Sequence, residues 1–322
     1  MNFVGTLTKL VIDRGGGLRL ARFLHRNGLR ILMYHRFADA EALARQCSHL
    51  KSYYHPLSLT DTAERMSSGR PLPPGSVAVT VDDGYRDFFT VAYPVFSAFR
   101  IPVTDFLVTG FLDRSAWLWV DRVQYAFERT RLSQATIELP SGEFLRLPLE
   151  TPDRRSRAVG QVKEAAKRMR NPDRIDLLER LPVLLQVDLP GQPPEGYQPL
   201  TWDEVRIMAP GGVEFGAHSR THPILSSIAA GDELRSEING SKLRIQQELG
   251  SPPAHFCYPN GRACDFNRAT VDAVREAGFL TAVTTESGLN YPGTDPFRLQ
   301  RIGVEPGLPE PYFHRCVAGV RL

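Results

Sequence analysis

Val77-Ala78-Val79-Thr80-Val81-Asp82-Asp83-Gly84 is an apolar, mostly β-branched run that passes directly into two carboxylates and a glycine. A short run apolar on both faces is the signature of a buried strand, and Asp-Asp-Gly is turn chemistry that ends one. Downstream, 88–99 reads as a helix and Val103-Thr104-Asp105-Phe106-Leu107-Val108 as a second strand. Strand, turn, helix and strand in that order form a βαβ unit, which predicts a parallel sheet and an α/β fold.

The pattern extends both ways. Upstream, Leu29-Arg30-Ile31-Leu32-Met33-Tyr34-His35 reads as a buried strand ending on a histidine, followed by a helix over 40–52. Residues 3–28 read as one or two helices broken at Gly15-Gly16-Gly17. The stretch 114–198 breaks the rhythm. It opens on aromatics, becomes highly charged around 153–180, closes on Pro-rich loops and holds no histidine. It reads as a mainly helical insertion, about 114–200. The α/β pattern resumes at Thr201-Trp202-Asp203-Glu204, where Thr201 and Glu204 have the spacing of a capping box. Strands are predicted at 213–218, 255–259, 279–284 and 298–304, and helices at 231–249 and 267–277. The domain reading is a basic helical segment, 1–28, and an α/β body, 29–322, that contains the insertion.

The chain has 322 residues, a length that α/β barrels use as one unit. Its 42% hydrophobic and 23% charged residues exclude disorder and coiled coil for the whole. The net charge of +3 is uneven. Residues 1–36 carry Lys9, Arg14, Arg19, Arg22, Arg26, Arg30 and Arg36 against Asp13 alone, which leaves the body slightly acidic. Without a basic face on the body, no nucleic-acid partner is expected. The basic segment is instead suited to an anionic membrane surface. The four cysteines form no CxxC pair, so free thiols in a reducing compartment are expected. The N-terminus has no apolar core of signal-peptide type, and no run approaches the ~18–20 apolar residues of a membrane span. A cytoplasmic location, peripheral to the inner membrane face through residues 1–36, follows as the expectation.

Two clusters carry chemistry. Asp82 and Asp83 sit at a strand end, where like charges raise one pKa unless a cation lies beside them; the same letters also make a plain turn. His218-Ser219-Arg220-Thr221-His222-Pro223 places two histidines four apart after a strand. Imidazole favours zinc-type ions, and two histidines with one carboxylate leave positions open on a metal. Taken together, the clusters make a hydrolytic metal site with one carboxylate left over as base.

These motifs resemble the polysaccharide deacetylases, also called NodB-homology or carbohydrate esterase family 4 proteins. The family's T-F-D-D-G is present as Thr80–Gly84 with Val81 for Phe, and its H-[ST]-x-x-H-P as His218–Pro223. Its R-x-P-[YF]-G is weakened to Cys257-Tyr258-Pro259-Asn260-Gly261. The resemblance covers about 29–112 and 201–305. It implies a distorted (β/α) barrel with a divalent metal, most often Zn2+, with Co2+, Ni2+ or Mn2+ as substitutes.

Carried over, Asp83, His218 and His222 would bind the metal and Asp82 would be the general base. The backbone N–H of Asn260 would hold the oxyanion. Cys257 stands in place of the arginine that orients the base; Arg301 matches a late-strand arginine of another branch and would take over, unless it is an ordinary surface ion-pair residue. The family's late L-x-H motif is absent, since His314 follows Phe313. His35 is the candidate general acid, by resemblance to the exopolysaccharide-modifying branch. Trp117, Trp119 and Tyr125 suit either sugar stacking or packing of the insertion. Cys257 and Cys264 lack the partners of a thiol nucleophile. The implied activity is N-deacetylation of an amino-sugar polysaccharide or its lipid- or nucleotide-linked precursor. Removal of another acyl group, such as formyl, and an inactive carbohydrate-binding homologue are the rival readings.

Overall fold

The protein is described by a computed structural model over residues 16–320. Seven parallel strands close into a barrel: β1 Arg30–Tyr34, β2 Ser76–Asp83, β3 Val103–Leu107, β4 Val213–Ala217, β5 His255–Cys257, β6 Thr281–Ser287 and β7 Leu299–Gly303, with β7 returning to β1. The register pairs Leu32 with Val79, Val81 with Asp105, and Asp105 with Phe215. Closure at Leu32–Ile302 leaves each of the seven barrel strands paired on both sides. A short strand, His55–Pro56, lies beside the start of β2.

Side chains alternate across each strand. One set, including Ile31, Ala78, Phe106, Cys257 and Val283, fills the barrel axis. The other, including Leu32, Val79, Val81 and Phe215, packs under the helices in the larger core. Gly216 shows how tight the axis is: a Cβ there would stand 2.4 Å from the Phe106 ring. The helix foreseen at 88–99 begins as a π-turn, Phe88–Ala92, and continues as Tyr93–Phe99. Thr201 caps its helix as expected, accepting from the Glu204 N–H while the Glu204 carboxylate accepts from the Thr201 N–H.

The insertion carries helices Trp119–Arg129, Pro152–Lys167 and Asn171–Leu184 around an apolar cluster of its own. It also holds an antiparallel hairpin, Gln134–Glu138 with Phe144–Pro148, which the helical reading missed. Ala135 and Ile137 are buried between exposed Gln134, Thr136 and Glu138, the two-residue period of a strand.

Of the N-terminal segment, helix Gly17–Leu24 is described, starting after Gly16 in a left-handed conformation; the reading of residues 1–15, including Lys9 and Arg14, lies outside the described residues. The +6 segment is less of a basic face than its letters suggest. Arg30 is fully buried, donating to the carbonyls of Val317 and Gly28. Arg36 lies at the other end of β1, paired with Asp87 at 2.6 Å. Arg19, Arg22 and Arg26 remain as the surface cations of the described part.

Candidate active site

The C-terminal ends of β2, β4, β5 and β7 bring the site together, the end at which barrel enzymes place their chemistry. Asp82 points into the barrel axis. Asp83 follows it with φ of 80°, a left-handed turn that ends the strand's alternation and brings the second carboxylate to the same mouth. Ser219, His222 and Asn260 also hold positive φ. Such backbone costs of order 1–3 kcal/mol each and persists where the surrounding structure enforces it, commonly at functional sites.

The expected ligand residues converge. His218 Nε2 and His222 Nε2 each lie 3.5 Å from Asp83 Oδ1, and all three side chains are buried. His218 Nδ1 is 2.7 Å from the Cys257 carbonyl. Because a carbonyl only accepts, Nδ1 carries a proton, which leaves Nε2 as the nitrogen that faces Asp83. Asp83 Oδ1 and His222 Nδ1 have no hydrogen-bond partner although buried. Burial pushes the His222 imidazole down to about 3, so it is a neutral donor at ordinary pH. Burial opposes ionisation of Asp83, yet its hydrogen bond with His218 and the nearby His222 hold it below the usual carboxylate range. A carboxylate and two imidazoles whose ligand atoms lie within 4.8 Å of one another fit a divalent ion. Burial lowers the His218 pKa, but Cys257 and the hydrogen bond with Asp83 outweigh it and raise the pKa above the ordinary imidazole value, so an ion bound there would displace a proton from His218.

Asp82 is anchored from below. Arg301 donates Nη1 to Oδ1 and Nη2 to Oδ2, both at 2.7 Å, with both residues buried. The same guanidinium donates Nε to the Thr284 carbonyl at 2.7 Å and Nη1 to Thr80 Oγ1 at 3.1 Å. Arg301 is therefore no surface ion-pair residue. Its Nη2 also lies 3.2 Å from Cys257 Sγ, so the thiol occupies the space beside the arginine. Burial alone would raise the Asp82 pKa, but Arg301 outweighs it and keeps the carboxylate ionised.

His35 lies at the mouth with its side chain 44% exposed and Nε2 3.7 Å from Asp82 Oδ2. Asn260 accepts from Thr285 Oγ1 at 2.7 Å, and its backbone N–H meets no protein acceptor among the described residues. His314 stacks on His49 at 3.7 Å and joins neither group of residues that could hold a metal. Trp119 is 5% exposed within the insertion's core, so packing is its role and sugar stacking is not. Trp117 and Tyr125 form a half-buried cluster with Tyr197.

Two contributors escaped the sequence reading. Glu237, on helix Asp232–Leu249, accepts from the N–H groups of Arg220 and Thr221 at 2.9 Å and from Thr221 Oγ1 at 2.7 Å. It pins the loop between His218 and His222. Asp121, on the first helix of the insertion, accepts from the Tyr85 hydroxyl at 2.7 Å. This bond joins the insertion to the turn that follows Asp83, and burial pushes Asp121 up to about 7. Neither has a motif signal, because each acts across a long stretch of chain.

A parallel (β/α) barrel with two carboxylates and two histidines gathered at its C-terminal mouth has the placement of an enzyme active site. The sequence profile described as polysaccharide deacetylase matches residues 69–282. The chain belongs to the polysaccharide deacetylase family. It is 36% identical over 76 residues to the poly-beta-1,6-N-acetyl-D-glucosamine N-deacetylase of Escherichia coli (strain K12), a match covering 23% of this chain and 11% of that protein. The chain thus spans a small part of that relative. Among solved structures, IcaB from Ammonifex degensii superposes with a TM-score of 0.58 at 18% identity, over 91% of this chain and 96% of that one. The Streptococcus pyogenes deacetylase PplD, in complex with acetate, gives 0.57 at 18% identity over 89% and 96%. At such identity these likenesses establish the fold.

Proposed function

We propose that the protein is a divalent-metal-dependent N-deacetylase of an N-acetylated amino-sugar glycan or its lipid- or nucleotide-linked precursor. The observation that carries this reading is the convergence of Asp83, His218 and His222 beside an Asp82 held ionised by Arg301. Asp83, His218 and His222 would hold the ion, with zinc first by ligand type and cobalt, nickel or manganese as substitutes. When bound, such an ion polarises the amide carbonyl and makes a water molecule more acidic.

The remaining steps belong to side chains and backbone. Asp82, locked in orientation by the bidentate Arg301, takes the proton of the attacking water. The free N–H of Asn260 donates to the oxygen that gains charge as the carbonyl carbon becomes tetrahedral. His35, exposed to the mouth beside Asp82, returns a proton to the leaving amine as the C–N bond breaks. Asp82 and His35 are close enough to share that proton, so each turnover leaves both as they began.

The relative that removes acetyl groups from poly-beta-1,6-N-acetyl-D-glucosamine supports an N-acetylated polymer as substrate. The loss of the motif-three arginine favoured an inactive homologue, but Arg301 already occupies its place against the base. The test is acetate release from N-acetylglucosamine oligomers by protein loaded with zinc or cobalt. Turnover that vanishes in Asp82→Asn with metal binding retained is expected. No acetate release from the loaded protein overturns the reading, and release that persists in Asp82→Asn overturns the base assignment.

A further inference from the structure

Helix Gly17–Leu24 turns outward an apolar face that has no partner among the described residues. Leu20, Phe23 and Leu24 are 58%, 59% and 65% exposed, and Tyr53, at the end of helix Ala40–Tyr53, is 55% exposed. A single exposed leucine needs no explanation, but a contiguous apolar group on one short helix marks a contact surface. Cations frame it. The Arg22 guanidinium lies 4.4 Å from the Tyr53 ring and that of Arg26 lies 4.2 Å from the Phe23 ring. Arg19 borders the same recess, and among the described residues no acidic side chain lines it. The patch sits at the N-terminal ends of the barrel strands: the Arg26 carbonyl accepts from Gly75, the residue before β2. The candidate active site occupies the other end.

We propose that this basal face docks on an anionic lipid bilayer. Leucine and phenylalanine flanked by arginines match the boundary between acyl chains and negative headgroups, where each surface cation adds about 1 kcal/mol. A second copy of the chain fits less well. A two-fold contact would set Arg19, Arg22 and Arg26 against the same three arginines, and among the described residues no carboxylate lines the recess to separate them. The three arginines complement an anionic surface instead. This inference is independent of the deacetylase reading.

The experiment is co-sedimentation of the full chain with vesicles of pure phosphatidylcholine or with about one-third phosphatidylglycerol, at low and high salt. Binding to the anionic vesicles that weakens with salt is expected. A Leu20→Ser/Phe23→Ser/Leu24→Ser variant is expected to lose about tenfold or more in bound fraction. The variant sites are exposed, so its melting temperature should stay near that of the parent, and this is checked first. An Arg19→Gln/Arg22→Gln variant should lose the salt dependence. Failure of the parent chain to sediment with anionic vesicles at low salt overturns the proposal, as does undiminished binding by the apolar variant. A concentration-dependent dimer that the apolar variant abolishes would assign the face to a second copy and also overturn it.

Discussion

Arg301 and Asp82 face each other through two parallel N–H···O bonds of 2.7 Å at the axis of the barrel, with neither side chain reaching solvent. The pair spans 219 positions of sequence. It is the point at which the last strand controls the chemistry of the second.

Removing the arginine and replacing it by lysine should therefore differ. Arg301→Ala leaves a buried carboxylate without its partner and is expected to cost about 3–5 kcal/mol of stability. Arg301→Lys keeps a charge but loses the fork, so it should fold and turn over more slowly. Arg301 depresses the Asp82 pKa, and weakening the pair raises it. The base is then protonated at higher pH, and the acid limb of the pH–rate profile moves upward. By the same linkage, the pair's contribution to stability is present above the ordinary carboxylate pKa and is lost as pH falls through the depressed one. A pH–rate series on the lysine variant, alongside acid unfolding of the parent, checks both signs.

Cys257→Arg restores the family's motif on paper and should disable this protein. The barrel axis would then hold two guanidiniums beside one carboxylate, in space the thiol now fills at 3.2 Å from Arg301. The variant is expected to be less stable and inactive, while Cys257→Ala should lose no more than about 1–2 kcal/mol. Combining Cys257→Arg with Arg301→Ala should recover part of both losses, which a double-mutant cycle on melting temperature and acetate release would read.

Glu237→Ala changes no ligand but frees the N–H groups of Arg220 and Thr221. Loss of such outer support commonly costs 10–100-fold in metal affinity, and about that loss is expected in zinc titration calorimetry. His218→Ala should lose more. Chelator treatment of the parent should abolish activity, and added zinc or cobalt should restore it.

Asp121 titrates near 7 because burial disfavours its charge. The native state therefore keeps a proton that the unfolded chain releases near 4. Stability falls as pH rises from about 4 to 7 and stays low above that, by at most about 4 kcal/mol. Asn at this position can still accept from the Tyr85 hydroxyl and has no charge to bury. Asp121→Asn should melt higher than the parent at pH 8 and show little difference at pH 4.

The elements legible in the sequence were those with local causes. The branched run before Asp82 and the Thr201–Glu204 box each act within a few residues. The convergence of Asp83, His218 and His222 was equally legible, because the two histidines share one turn of chain and Asp83 ends a strand that sequence pattern alone marks as buried. The rest depended on partners far away. Arg30 reads as surface charge until its contact with the Val317 carbonyl, 287 residues on, is seen. Glu237 is one acid among many on a charged helix. The hairpin's alternation at Ala135 and Ile137 is brief and lies beside a highly charged stretch that reads as helix.

The strands that join base to mouth also set a distance. From Ser76 to Asp82 the strand runs about 20 Å, and the ~36° tilt of barrel strands leaves about 16 Å along the axis, so a barrel docked by its base holds Asp82 at least that far above the headgroups. A single sugar attached directly to a bilayer lipid lies below that height. Docking in this orientation would act as a ruler, admitting soluble substrates and glycans extended well clear of the surface and passing over the shortest lipid-linked precursors.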